Sequence, residues 1–192
     1  MITALILAAG QSKRMGKPKM LLPWGKVTVL EKVLATFKVA GVDNILVVTG
    51  GDRERVETLV KAPARTVFNP NYVEGEMLSS VQAGLAGLDP EAEAVLIGLG
   101  DQPQVHERNV RMVLDAYRKS WASIVVPSFR MRRGHPWLVT QAHWDEILSM
   151  RSPASLRDFL KKHADEIRYV VIKDNSILQD LDTPEDYLKS RP

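Results

Sequence analysis

The chain has 192 residues, 45% of them apolar, and a formal charge of only +3. That fits one globular domain with a sizeable core and is too mild a charge to argue for nucleic acid. The absence of cysteine excludes disulfides, thiolate metal sites and cysteine nucleophiles. Ile2 to Ala9, the longest apolar stretch, is interrupted by Thr3 and is far shorter than the ~20 residues of a membrane helix. It has no basic leader or cleavage site, so a cytoplasmic location is expected.

Apolar runs alternate with amphipathic stretches. ALILA, ended by Gly10, predicts a buried strand. A helix is expected from the N-cap Thr28 to the stop at Gly41. NILVVT predicts a strand, RERVETLVK a helix, RTVF a short strand, MLSSVQAGLAGL a helix and AVLIGL a strand. NVRMVLDAYRKS predicts a helix and SIVVP a strand, and residues 128–139 an inserted hairpin or flap. HWDEILSM and SLRDFLKKH read as helices, with Ser152-Pro153 as cap and first-turn proline. YVVI is a late strand, and a final helix starts at Thr183 with Pro184 and a capping-box Asp186. The alternation predicts an α/β fold: a mostly parallel sheet with helices on both faces and ligands at the carboxyl edge of the strands.

The unusual loops all follow strands. GQSKRMGKPK, Gly10 to Lys19, holds two glycines, four cations and no acid. Gly10 is expected to allow a tight turn and close ligand approach, and Lys13, Arg14, Lys17 and Lys19 supply charge for a polyphosphate. It is not a Walker P-loop: five residues separate Gly10 from Gly16, and Pro18 stands where a hydroxyl residue is needed. An exposed basic turn is the alternative. GDQP sets Asp101 just past a strand, where it suits a hard cation or a proline-assisted turn. QDLDTPEDY brings Asp180 and Asp182 to one side of an extended segment, as metal ligands or as compensation for a helix dipole. His106, His143 and His163 show no metal-ligand spacing.

LAAGQSKRMGKPKMLLPWG resembles the nucleotidyltransferase signature L-A-A-G-x-S-x-R-M-G-x-x-K-x-L-l-p-x-G. Matches run through Leu7, Ala8, Ala9, Gly10, Ser12, Arg14, Met15, Gly16 and Lys19 to Leu21, Leu22, Pro23 and Gly25. NPNYVEGEMLSSVQAGL, GLGDQPQV, RGHPWLV and QDLDTPEDY follow in the order of the MobA-like group, and the chain most resembles its molybdenum cofactor cytidylyltransferases.

The resemblance implies a single Rossmann-like three-layer domain over residues 1–192 that joins NMP from an NTP to an acceptor phosphate, with Mg²⁺ as cofactor. CTP and a molybdopterin-type acceptor are the implied substrates, and a molybdoenzyme is a possible client. By position, Leu7, Ala8, Ala9 and Gly10 approach the nucleotide, and Arg14 and Lys19 bind its phosphates and act in catalysis with Asp101. Gly75, Ser79 and Ser80 lie near the base and ribose, unless the serines are N-caps. Asp101 binds the metal with Asp182, Asp180 being the close alternative. His135 and Arg133, beside Arg132, face the acceptor, although Gly134-His135-Pro136 also suits a plain turn. A guanylyltransferase, a sugar- or polyol-phosphate nucleotidyltransferase and a noncatalytic nucleotide-binding chaperone are the alternatives.

Overall fold

Each buried apolar run becomes a strand in a computed structural model that describes residues 1–192. Strands β1 (Ile2–Ala8), β2 (Pro23–Trp24) and β3 (Val27–Thr28) precede helix α1 (Val29–Val39). There follow β4 (Asn44–Thr49), α2 (Arg53–Glu57), β5 (Arg65–Phe68), α3 (Glu76–Ala86), β6 (Ala94–Leu99) and α4 (Glu107–Ser120). The remainder comprises β7 (Ile124–Phe129), β8 (Arg132–Arg133), β9 (Trp137–Thr140), α5 (Trp144–Ser149), α6 (Leu156–Lys162), β10 (Ile167–Val171) and α7 (Pro184–Ser190).

The main sheet runs in the order β10-β7-β9-β6-β1-β4-β5. β5, β4, β1 and β6 are mutually parallel, as are β7 and β10, whereas β9 is antiparallel to both its neighbours. The β9 direction comes from the insert. The chain reverses at Arg130-Met131, both with positive φ, and β8 then pairs with the end of β7 while β9 pairs with its start. Between β8 and β9, residues 134–136 interrupt one long hairpin.

Alternation along β1 sorts the core into two layers. Ala4, Ile6 and Ala8 pack with α1 and α4 through Leu30, Val33, Phe37, Val110 and Leu114. Leu5 and Leu7 pack with α3 and α6 on the other face, through Val81, Leu85, Phe159 and Leu160. The result is a single α/β domain with helices on both faces of a mostly parallel sheet. No helix is long and apolar enough to cross a membrane.

The capping signals mark two expected helix starts. Thr28 with Glu31 and Thr183 with Asp186 form reciprocal capping boxes. Two expectations need correction. α2 stops at Glu57. α6 starts at Leu156, because Ser155 caps it through a box with Asp158, so Ser152-Pro153 lies in the preceding turn.

Candidate active site

The register places three chain segments on one sheet edge. Leu7 pairs with Leu99, so the loops after β1 and β6 leave the same end of the sheet. The Gly100 amide donates to the Leu7 carbonyl at 2.9 Å. A C-terminal segment joins them through the Leu181 amide, which donates to the Asp101 carbonyl at 3.2 Å.

The first loop is wound around Ser12. Its carbonyl accepts from the Met15 and Gly16 amides, and its hydroxyl accepts from the Lys19 amide at 3.0 Å. Ser12 and Gly16 take the positive φ angles, at 52° and 67°. Gly10 does not, which corrects its reading as the turn residue; a side chain there would point into open space. Its place is on the rim of a cavity, where the bare backbone leaves room for a ligand.

Charge converges below that loop. Lys19 Nζ donates to Asp101 Oδ2 at 3.0 Å and to Asp182 Oδ1 at 2.8 Å, with its side chain only 11% exposed. Burial alone would lower the Lys19 pKa, but Asp101 and Asp182 outweigh it and raise the ammonium above its ordinary value. The exposed Arg14 guanidinium reaches the other Asp182 oxygen at 2.9 Å. Asp180 accepts from Gln102 Nε2 at 2.7 Å. It keeps an open face to the cavity, yet lost hydration against the walls, with Asp101 nearby, raises its carboxyl above the usual range. Three carboxylates thus meet one enclosed cation and one solvated one.

These groups line a cavity of about 340 Å³. Leu7, Ala9 and Gly10 form one wall, and Arg14, Lys19, Asp101, Asp180 and Asp182 form its charged end. Tyr72, Glu76, Met77 and Ser80 form the far wall. Ala8 is buried behind this surface. Gly75 and Ser79 support it from outside: Gly75 is the N-cap of α3, where a Cβ would overlap the Ser79 side chain. Both serines lie inside α3 and are not caps. Asn69 Nδ2 donates to Ser79 Oγ at 2.9 Å and Ser80 Oγ at 3.0 Å, fixing this wall from the end of β5.

Asn69, Tyr72 and Glu76 were not singled out in the sequence, and Ser12 was matched to the signature there without a role. NPNY carried a signal, an Asn-Pro directly after a strand, that invites a turn anchored by asparagine. Glu76 gave none; it takes a φ of +49° at the first turn of α3. Such a conformation costs energy in a residue other than glycine and is concentrated at ligand sites.

His135 and Arg133 do not line this cavity. The His135 amide donates to the Ile177 carbonyl at 3.1 Å, which ties the interrupted hairpin to the segment leading to Asp180. Burial pushes the His135 imidazole down to about 4, so it is neutral at pH 7. Arg133 donates to the Tyr169 hydroxyl from Nε at 2.9 Å and from Nη2 at 2.6 Å.

The carboxylates suit a hard cation. Asp101 and Asp182 come from distant parts of the chain yet both reach one nitrogen, so their oxygens already converge. An oxygen-only donor set with open space beside it fits Mg²⁺, which keeps several waters and takes one or two carboxylates.

Residues 4–167 match the family model of the MobA-like NTP transferase domain. The molybdenum cofactor cytidylyltransferase of Escherichia coli (strain K12) is 27% identical over 99% of this chain and 95% of its own. Nicotine blue oxidoreductase of Paenarthrobacter nicotinovorans is 31% identical over 96% of this chain and 93% of its own. Rv0371c of Mycobacterium tuberculosis H37Rv superposes with a TM-score of 0.84 at 28% identity, over 98% of this chain and 97% of that one. It has also been solved in complex with manganese, matching at 26% identity and a TM-score of 0.78 over 98% of this chain and 96% of that one. The family match covers the loops after β1, β5 and β6 that line the cavity and ends before Asp180 and Asp182, and the chain belongs to the MobA-like NTP transferase domain family.

Proposed function

We propose that the cavity binds an NTP, CTP by family resemblance, and transfers its NMP to the phosphate of a molybdopterin-type acceptor. One observation carries this reading: carboxylates from two distant segments and the loop lysine meet within 3.0 Å at the carboxyl edge of β1 and β6. An acceptor phosphate oxygen attacks the α-phosphorus, the bond to the β-phosphate oxygen breaks, and pyrophosphate leaves with the electron pair. The attacking oxygen is already anionic, so the protein needs no strong base; it must align two anions and offset their repulsion. Asp101 and Asp182, with Asp180 beside them, would hold Mg²⁺, which when bound supplies positive charge next to the phosphate oxygens. The manganese complex of the mycobacterial relative supports a divalent ion in this fold.

Before substrate arrives, Lys19 is held between Asp101 and Asp182. Any group that takes over Asp101 and Asp182 frees the ammonium for phosphate, and Arg14, largely solvated, is placed to grip the leaving oxygens in a fork. Ala9 and Gly10 offer bare backbone at the rim, and Ser80 with Tyr72 offers polar atoms on the far wall. His135 acts on the acceptor side as a neutral hydrogen-bonding group, with Arg133 further out.

The test is pyrophosphate release from molybdopterin with CTP, GTP, ATP or UTP and Mg²⁺, for the native protein and Asp101→Ala. CTP-selective release lost in the variant supports the reading; GTP selectivity or a sugar-phosphate acceptor replaces it with a sister activity. Cofactor delivery that survives Asp101→Ala without turnover points to a noncatalytic chaperone. The 31% identity to nicotine blue oxidoreductase favours a second reading, an oxidoreductase, which consumption of a hydride donor without pyrophosphate release would establish.

A further inference from the structure

A second cluster lies at the opposite edge of the sheet. β9 ends at Thr140, paired with the start of β6 at Ala94, and β10 begins at Ile167, paired with the start of β7 at Ile124. His143 follows the first of these points and Glu166 precedes the second, while His163 caps the end of α6. The potential ligand atoms of His143, His163 and Glu166 all lie within 4.8 Å of one another.

We propose that His143, His163 and Glu166 form a site for a divalent transition metal of the zinc class. The key observation is an orphan: His143 Nε2 is buried and has no hydrogen-bond partner. It points toward Glu166 Oε2 at 3.6 Å, beyond a hydrogen bond. Two ligands bonded to zinc at roughly 2.0–2.1 Å in tetrahedral geometry stand about 3.3 Å apart, so that gap nearly fits a shared ion. His163 presents Nδ1 to the same carboxylate, at 2.6 Å from Glu166 Oε1. Its other nitrogen, Nε2, lies 2.9 Å from Glu146 Oε2, and Glu146 Oε1 in turn accepts from Lys162 at 2.9 Å. A carboxylate behind a histidine fixes the ring and its tautomer, which is how metal-binding imidazoles are held.

The surroundings add rigidity. The two imidazole rings stand 4.7 Å apart, centroid to centroid, and both pack against Phe159. The His143 and His163 side chains are 9% and 12% exposed, whereas Glu166 is 51% exposed, so one side opens to solvent for a water ligand. Two imidazoles with one carboxylate suit zinc, copper or nickel better than Mg²⁺. An ion-pair cluster of His163 with Glu146 and Glu166, with Ser123 Oγ donating to Glu166 Oε2 at 3.4 Å, leaves the His143 nitrogen unpartnered. Distance from the nucleotide cavity makes the role structural: an ion here clips the turn after β9 to the end of α6. The inference stands independently of the nucleotidyltransferase reading.

The experiment uses the whole chain, stripped with chelator and dialysed, then titrated with Zn²⁺ in excess Mg²⁺ so that the oxygen-only cavity is occupied. Calorimetry and thermal unfolding are read together. One equivalent of Zn²⁺ at micromolar affinity or tighter, with a rise in Tm, is the expected result. Glu166→Gln, at a half-exposed position that tolerates change, should weaken binding at least tenfold, and Glu146→Gln should weaken it about 10- to 100-fold by loosening His163. Co²⁺ should give the visible absorption of a tetrahedral site in the native chain and not in Glu166→Gln. Absence of saturable Zn²⁺ binding, or the same affinity in Glu166→Gln, would overturn the proposal.

Discussion

The two edges of the sheet gather acidic side chains in different company. At the carboxyl edge, Asp101, Asp180 and Asp182 meet Lys19 and Arg14. At the amino edge, Glu146 and Glu166 meet two imidazoles and Lys162. The first set has only oxygen donors and an open cavity of about 340 Å³, which suits a hard cation with its waters and a polyphosphate. The second set mixes nitrogen and oxygen in a packed corner, which suits a borderline ion held for structure. Openness matters as much as ligand type. The carboxyl-edge site carries charges not fully matched beside open space, whereas the amino-edge cluster is packed around its two imidazoles and opens only at Glu166.

The carboxyl edge can be broken first at Asp101, one of the carboxylates proposed to hold the ion. Asp101→Asn should lower pyrophosphate release by roughly 10³-fold, in the range found when preorganised electrostatic groups are removed, while circular dichroism stays native. Lys19→Met should cost about 10²-fold in turnover through lost stabilisation of the leaving group. Unchanged turnover would make that ammonium a structural counter-ion only, and the edge a static network.

A third measurement concerns how the acidic segment is held. Asp174 anchors its start, accepting from Ser176, Arg108 and Asn109. Burial opposes ionisation there, but those donors prevail and hold the carboxyl at about 2. A depressed folded pKa means stability present above the unfolded value and lost as pH falls through the folded one. Asp174→Asn should therefore cost on the order of 2 kcal/mol at pH 6, a difference that shrinks between pH about 4 and 2, read by urea unfolding.

The smallest effect is expected at Asp180. Its folded pKa is raised, so its ionised form disfavours folding at neutral pH, and that cost fades as pH falls toward the ordinary carboxylate range. Asp180→Asn should raise Tm slightly at pH 7, with no gain at pH 3. At the same time it should weaken the response of Tm to Mg²⁺. A lower Tm at pH 7 would show that the Gln102 bond, not charge crowding, governs this position.

Much of the architecture was legible in local patterns. NILVVT, RTVF and AVLIGL have the strand limits read from their apolar runs, and Thr28 and Thr183 cap as their spacing predicts. The direction of β9 was not legible, because WLVT looks the same run forward or backward; the turn at Arg130-Met131 sets it. Three acidic candidates and the loop lysine do come together, and the sequence named each. It did not reveal that Ser79 serves the Asn69 network behind the wall, since that depends on where β5 ends against α3.

Periodicity, capping and loop composition act between residues close in the chain, so the sequence by itself determined the long buried strands, the helix starts at Thr28 and Thr183, and the charged loop after β1. Tertiary structure alone decided that Asp182 shares an ammonium with Asp101, and that His143 and His163, without ligand spacing in the chain, face one carboxylate. Those contacts join residues far apart in sequence, and only the order and direction of strands in the folded sheet bring their atoms within reach.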